Sequence, residues 1–223
     1  MAALETLSTQ NFPVIAESDL VREANHRIAN HLSMIVGMVQ IQVSALTKGP
    51  DVVPRATVHE ILQDMASKIL SVSLLHRKLA ASPQLREIDI AAYLVESCSA
   101  MMMSLSLSQR AGVIYRLGEK CMVSTEVAQT LALIVNEIVM NAVKYAHPTD
   151  LPTLISIGCG RDRYGRMYIE VADDGVGLPE NFNEKRDGGV GLKLIRGLTK
   201  QIGAALKVES SSLGLSFRVT LPE

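Results

Sequence analysis

Residues 136–147 read NEIVMNAVKYAH, and they close a longer segment that begins TEVAQTLALIV at Thr125. Ser124 or Thr125 offers a side-chain oxygen to the first free N–H groups of a helix, and Pro148 stops it. Within that helix Glu137, Asn141, Lys144 and Tyr145 stand at i, i+4, i+7 and i+8, so all four share one face. Most of the remainder is aliphatic. A carboxylate, an amide, an ammonium and a phenol aligned on such a helix are costly to bury without a partner. By type they suit a magnesium phosphate group, with hard oxygens for the cation and a lysine for phosphate oxygens. Alone, a charged stripe is more often a solvated face.

The segments C-terminal to this helix give it a setting. TLISIGCGR (153–161) and RMYIEVADD (166–174) read as strands joined at DRYG. The second runs into DDGVG (173–177), where glycines let backbone pass close to a flat ligand and a strand-end carboxylate can accept from an exocyclic amine. GGVGLKL (188–194) opens a helix whose free N–H groups suit an anion, and Gly203 ends that helix. Neither turn has the G-x-G-x-x-G order within a βαβ unit, which excludes a dinucleotide-binding reading. ALKVESS and LSFRVTLP close the chain as a hairpin. Upstream, 88–110 reads as a helix, and GVIYRLG and KCMVS as short strands. The fold class expected is α+β, an α/β sandwich with a mixed sheet and helices on one face.

The first third is different. Residues 17–47 carry few turn signals, and EANHRIANHLSMI (23–35) places two of the five histidines five positions apart. On a helix they cannot share a face. His31 falls in an apolar stripe with Val21, Ala24, Ile28, Ile35, Met38 and Ala45, and reads as a packed, hydrogen-bonded histidine. His26 projects from the opposite, small-residue face, where a plain surface histidine competes with a chemical one. TKGPDVVPRAT (47–57) breaks the helix, and a second helix comes after it with Val58, Met65, Val72 and Leu79 at heptad spacing. The two helices form an antiparallel hairpin with unburied apolar stripes, for which pairing into a four-helix bundle is the usual solution.

Bulk composition narrows the classes. The chain has 223 residues, 48% of them hydrophobic, no Trp and three Phe, which means a large aliphatic core. A formal net charge of −1 gives no general attraction to nucleic acid or anionic membrane. Cys98, Cys121 and Cys159 lack metal-like spacing and fit reduced thiols in a cytoplasmic protein. The N-terminus has no basic region followed by an apolar one, so no secretory signal is expected. The run LALIV stops at Asn136, and no membrane insertion is expected.

Taken in order, NEIVMNAVKYAH, DDGVG and GGVGLKL resemble the N, G1 and G2 boxes of the GHKL (Bergerat) ATP-binding fold of gyrase-type ATPases and sensor histidine kinases. ANHRIANHL (24–32) resembles the phosphoacceptor box of the HisKA_2/HWE histidine kinases. The resemblance implies an extension over 1–16, a dimerisation and phosphotransfer hairpin over 17–82, and a catalytic ATP-binding domain over 88–223. It implies that His26 accepts phosphate from ATP, that Asn141 ligates Mg²⁺ with Glu137 assisting, and that Lys144 meets phosphate oxygens. Tyr145 would line the pocket, Asp173 would read the adenine amino group, and Gly175 and Gly177 would shape that wall. Gly189, Gly191 and Leu192 would border the triphosphate beneath a short lid, 178–188. Implied partners are a response-regulator receiver domain, a second copy of the chain, and a separate sensor or upstream kinase protein, because 16 residues cannot form a sensor. Arg27 stands where larger kinase classes have an acidic residue, and Leu215 where a Thr is frequent. A phosphotransfer adaptor with a non-catalytic ATP-like domain is the alternative, and an anti-sigma-factor-like serine kinase a third.

Overall fold

The polar face of NEIVMNAVKYAH belongs to the central helix of the molecule. The computed structural model describes residues 29, 32–33, 35–49, 52–81, 86–118, 120–147, 151–182 and 189–222. His26 and His31 lie outside these, as does 183–188 of the expected lid.

Helix α1, Ile35–Thr47, ends at a turn in which Gly49 N–H donates to the Leu46 carbonyl at 3.1 Å. Helix α2, Arg55–Ala81, starts directly after Pro54. Strand β1 (Glu87–Asp89) leads into α3 (Ile90–Ser104), and a 3-10 turn, Leu107–Gln109, precedes β2 (Ala111–Leu117). Strand β3 (Met122–Ser124) and helix α4 (Thr125–Tyr145) come next. The rest is β4 (Thr153–Arg161), β5 (Met167–Asp173), α5 (Val190–Gln201), β6 (Ala205–Ser211) and β7 (Gly214–Thr220).

Five strands form one sheet in the order β2-β4-β5-β7-β6, and β1 pairs with β3 in a small separate ladder. Strands β2 and β4 run parallel, while β4–β5, β5–β7 and β7–β6 are antiparallel, so the sheet is mixed as expected. Alternation sets its two faces. Ile155, Ile157 and Cys159 of β4, Ile169 and Val171 of β5, and Phe217 and Val219 of β7 are buried in the core. Leu154 and Tyr168 point the other way, with Leu154 exposed.

Local chemistry fixes the boundaries. Ser124 caps α4 by accepting from Val127 N–H at 3.3 Å, and Asp89 caps α3 by accepting from Ala91 N–H at 3.2 Å. Gly203, at φ +65°, ends α5 in the left-handed conformation that glycine tolerates best. The helix read over 88–110 is shorter in the structure, because Ile88 and Asp89 pair with β3 and Ser106 breaks the helix at φ +53°.

Helix α2 departs most from its reading. Its buried side is Asp64, Ser67, Lys68, Ser71, Val72, Leu74 and Leu75, and Val72 and Leu75 join the same core as α3 and α4. Val58 is exposed, Met65 half-buried and Val72 buried, so the heptad positions do not seal one hairpin seam. A straight helix drifts about 20° per heptad from a 3.5-residue stripe, so Val72, two heptads on from Val58, is turned by about 40° relative to it. The side chain of Leu79 lies outside the described residues. Among the described residues one helix, α4, is long and apolar enough to cross a membrane, and 83% of its apolar window is buried in this fold.

Leu75 has no exposed surface, whereas Val58 is 40% exposed. Leu75→Ala is expected to destabilise the protein by about 2–5 kcal/mol, and Val58→Ala to stay within about 0.5 kcal/mol, in urea unfolding.

Candidate nucleotide-binding site

The four residues on one face of α4 climb from core to surface. Glu137 is buried, Asn141 and Lys144 are half-buried, and Tyr145 is 69% exposed. One glycine-bearing turn closes on this face, and another docks at the C-terminal end of the helix.

At the deep end the first turn of α5 meets α4. A Cβ built on Gly191 would collide with Glu137 Oε1 and stand 3.3 Å from Asn141 Nδ2, so glycine is what permits this approach. Gly189 is the N-cap of α5 in extended conformation and has no side chain of its own to cap the first N–H groups. They are donors suited to an anion. Leu192, half-buried, packs against the core and anchors that turn.

At the outer end the turn after β5 docks on the C-terminus of α4. Val176 N–H donates to the Ala146 carbonyl at 3.0 Å, and a Cβ on Gly175 would lie 2.5 Å from that same oxygen. Gly177 has φ +71°, and a Cβ there would lie 2.7 Å from Ser210 Oγ, the atom that accepts from Leu178 N–H.

The adjacent aspartates do different work. Asp174 Oδ1 accepts from Leu154 N–H at 2.9 Å and Thr153 Oγ1 at 3.0 Å, and lies 3.1 Å from His147 Nε2. Burial pushes its carboxyl up, but these bonds together hold it below the usual range. It ties the turn to β4. Asp173 Oδ1 accepts from Gly175 N–H at 2.9 Å and Leu215 N–H at 3.2 Å, which fixes the carboxylate's rotation. Burial raises its carboxyl despite those bonds.

Sequence reasoning missed what faces Glu137 from α2. Lys68 Nζ lies 2.7 Å from Glu137 Oε2 and also pairs with Asp64 one turn earlier on its own helix. Asp64, Lys68 and Glu137 are 6%, 5% and 5% exposed. Burial raises the Glu137 carboxyl, and Lys68 opposes that only in part. Burial lowers the Lys68 ammonium, but the two carboxylates outweigh it and the net shift is upward. Both directions describe a dry cluster with one negative charge in excess. One helical turn on, Asn136 Nδ2 donates to Ser71 Oγ, and Tyr93 OH donates to the Ser71 carbonyl at 3.2 Å. The one available signal was Asp64 and Lys68 at i, i+4, which reads as a surface pair.

Among the described residues no three His, Cys, Asp or Glu side chains gather to hold a metal ion by themselves. Magnesium needs only one or two protein oxygens when phosphates supply others. Asn141, open beside Gly191, fits that role, while Glu137 is already charge-paired to Lys68.

Residues 23–105 match the histidine kinase family HisKA_2, and residues 126–223 match the histidine kinase-, DNA gyrase B- and HSP90-like ATPases. Blue-light-activated histidine kinase 2 of Erythrobacter litoralis (strain HTCC2594) is 25% identical over 205 residues, 90% of this chain and 56% of that protein. Sensor histidine kinase PdtaS of Mycobacterium tuberculosis (strain CDC 1551 / Oshkosh) is 23% identical over 186 residues, 83% of this chain and 35% of that protein. The chain spans about half or less of the length of these two relatives. Among solved structures, the histidine kinase domain of an Erythrobacter litoralis blue-light activated histidine kinase shares the fold, with a TM-score of 0.68 at 24% identity over 92% of this chain and 95% of that one.

Gly175→Ala places a methyl group against backbone atoms of Ala146 that have no room to yield. It is expected to cost about 1–3 kcal/mol in chemical unfolding and to displace Asp173, seen as weakened binding of an adenine nucleotide in calorimetry.

Proposed function

We propose an activity on one premise: the chain belongs to the histidine kinase family, its HisKA_2 region preceding its gyrase-type ATPase region. It is an autophosphorylating protein histidine kinase of a two-component system that uses Mg²⁺ and ATP. The observation that carries this reading is that the Gly191 turn packs against Glu137 and Asn141 of α4 while the Asp173–Gly177 turn docks at the C-terminal end of the same helix.

Bound Mg²⁺·ATP supplies the γ-phosphoryl group. Asp173, its Oδ1 held by two backbone donors, accepts from the adenine amino group, and the close-packed Gly175 and Gly177 form that wall. Asn141 offers its amide oxygen to the metal, with Glu137 behind it. Lys144 meets phosphate oxygens, and Tyr145 borders the outer rim. Gly189, Gly191 and Leu192 present the first turn of α5 to the triphosphate. A ring nitrogen of His26 would take the γ-phosphoryl group in line, the N–P bond forming as the bond to the β-phosphate oxygen breaks and ADP leaves, so catalysis would come from positioning and charge neutralisation. From His26 the group passes to an aspartate on a response-regulator receiver domain.

The working division is an extension 1–16, a hairpin 17–82 that carries His26, and a catalytic domain 88–223. The hairpin pairs with that of a second copy, because Val36, Val43, Leu62 and Ile69 on α1 and α2 are exposed in the single chain. The protein works in the cytoplasm, without nucleic acid or membrane insertion.

Incubation with labelled ATP is expected to place an acid-labile, base-stable phosphate on the protein, absent in His26→Ala. Asp173→Asn is expected to weaken ATP by about 10- to 100-fold and GTP by less, since one buried hydrogen bond to a charged acceptor is lost. No ATP affinity up to millimolar concentration in calorimetry would replace the kinase by the phosphotransfer adaptor. Light scattering is expected to report a dimer, with Leu62→Glu shifting it to a monomer; a monomer at every concentration of the unmodified protein would refute the pairing.

A further inference from the structure

Glu137 has two claimants. Its Oε1 lies against Gly191 and beside Asn141, on the nucleotide side of α4. Its Oε2 lies 2.7 Å from Lys68 Nζ, on the side of α2. Oε2 is buried, and the Lys68 ammonium is the opposite charge it faces. Asp64, Lys68 and Glu137 are all nearly inaccessible to water. Burying three charges where aliphatic side chains would pack is a poor way to gain stability, and switching is the better attested reason to keep such a group.

A divalent cation brought to the Asn141 side of Glu137 would face the Lys68 ammonium across one carboxylate. In a dry site two cations sharing one anion repel each other strongly. The seam gives Lys68 a way out. Its other partner, Asp64, is on its own helix and moves with it, and Asn136–Ser71 and Tyr93–Ser71 are neutral hydrogen bonds.

We propose that Lys68 is a latch cation: it holds α2 on α4 by occupying Glu137, and binding of a magnesium nucleotide at Asn141 and Glu137 displaces it and loosens α2. This rests on the nucleotide site proposed above and adds its coupling to the hairpin. Linkage makes the coupling reciprocal, so removing the latch tightens the magnesium nucleotide as much as the nucleotide weakens the latch.

The full chain is tested with a non-hydrolysable ATP analogue plus Mg²⁺, with calorimetry and hydrogen exchange as readouts. Lys68→Met alone strands two buried carboxylates, so the informative variant is Asp64→Asn with Lys68→Met, which keeps the cluster's net charge at −1 (from −1 +1 −1 to −1). The double variant is expected to bind the magnesium analogue about tenfold more tightly than the unmodified protein. In the unmodified protein the analogue with Mg²⁺ is expected to speed amide exchange over 64–72, and Lys68→Arg is expected to retain that response. In the double variant the same amides exchange faster from the start and respond little.

Unchanged or weaker binding by a folded double variant overturns the latch, the weaker case making Lys68 an orienting partner of Glu137 instead. If the double variant does not fold, exchange in the unmodified protein decides alone: binding without any change over 64–72 overturns the latch and leaves the nucleotide site standing. Failure of the unmodified protein to bind the analogue overturns both.

Discussion

The carboxylate of Glu137 is the fixed point around which this molecule is arranged. Helix α4 is buried along most of its length, with Leu131 to Val135 in the core and the sheet, α3 and α5 around it. A carboxylate on such a helix cannot be left without a counter-charge, because desolvating it alone outweighs what any single aliphatic contact returns. Lys68 supplies the charge, and with it α2 is committed to lie along α4. On the other side the carboxylate leaves no space for a side chain where α5 begins, and Gly191 answers that constraint. One buried charge therefore dictates the partner of α4 on one side and the residue type on the other.

The turn after β5 shows a similar division of labour. Asp174 spends its hydrogen bonds on β4 and His147, and its carboxyl is held below the ordinary range by them. That fixes the turn against the sheet edge. Asp173, one residue earlier, is oriented by two backbone donors on one oxygen and buried enough for its carboxyl to rise. Adjacent residues of one type thus become a tether and a presented acceptor. The difference comes from what the sheet offers each of them, because consecutive side chains at a strand end point to opposite faces.

Much of this was legible in the sequence where the cause is local. The α4 face comes from spacing, its ends from Ser124 and Pro148, the β4–β5 and β6–β7 hairpins from alternation and turn residues, and the end of α5 from Gly203. The DDGVG glycines were readable as a close backbone approach to a ligand and the GGVGLKL glycines as a helix start suited to an anion, but their packing against Ala146 and Glu137 was not. Long-range causes were not legible. Asp64 and Lys68 at i, i+4 look the same on a solvated helix and in a buried seam, since the pattern does not say which face is covered. The heptad stripe of α2 did not reveal that its middle turns bury Asp64, Ser67, Lys68 and Ser71 and that Val72 joins the core with α3 and α4. The length of α3 was overestimated because Ile88 and Asp89 are helix-compatible residues captured by β3. The placement of His26 relative to the site lies outside the described residues, and no sequence rule supplies it.

The composition of the α2 seam has a mechanical consequence. Toward the C-terminal end of α2, Val72 and Leu75 sit in the common core, and burying each such side chain contributes about 1.5–3 kcal/mol. From 64 to 71 the contacts are ionic or hydrogen-bonded, where gains largely cancel against desolvation. From 55 to 60 the helix is exposed. Adhesion therefore falls along α2 from its C-terminal end to its N-terminal end. A helix held in that graded way does not detach as a body. Its firmest hold is at Val72 and Leu75, and its weakest is at Arg55 and the turn that joins it to α1. An apolar seam along the whole length would have fixed α2 to α4 far more tightly. Over the middle turns the contact between α2 and α4 rests instead on the Lys68–Glu137 pair and the Asn136–Ser71 hydrogen bond.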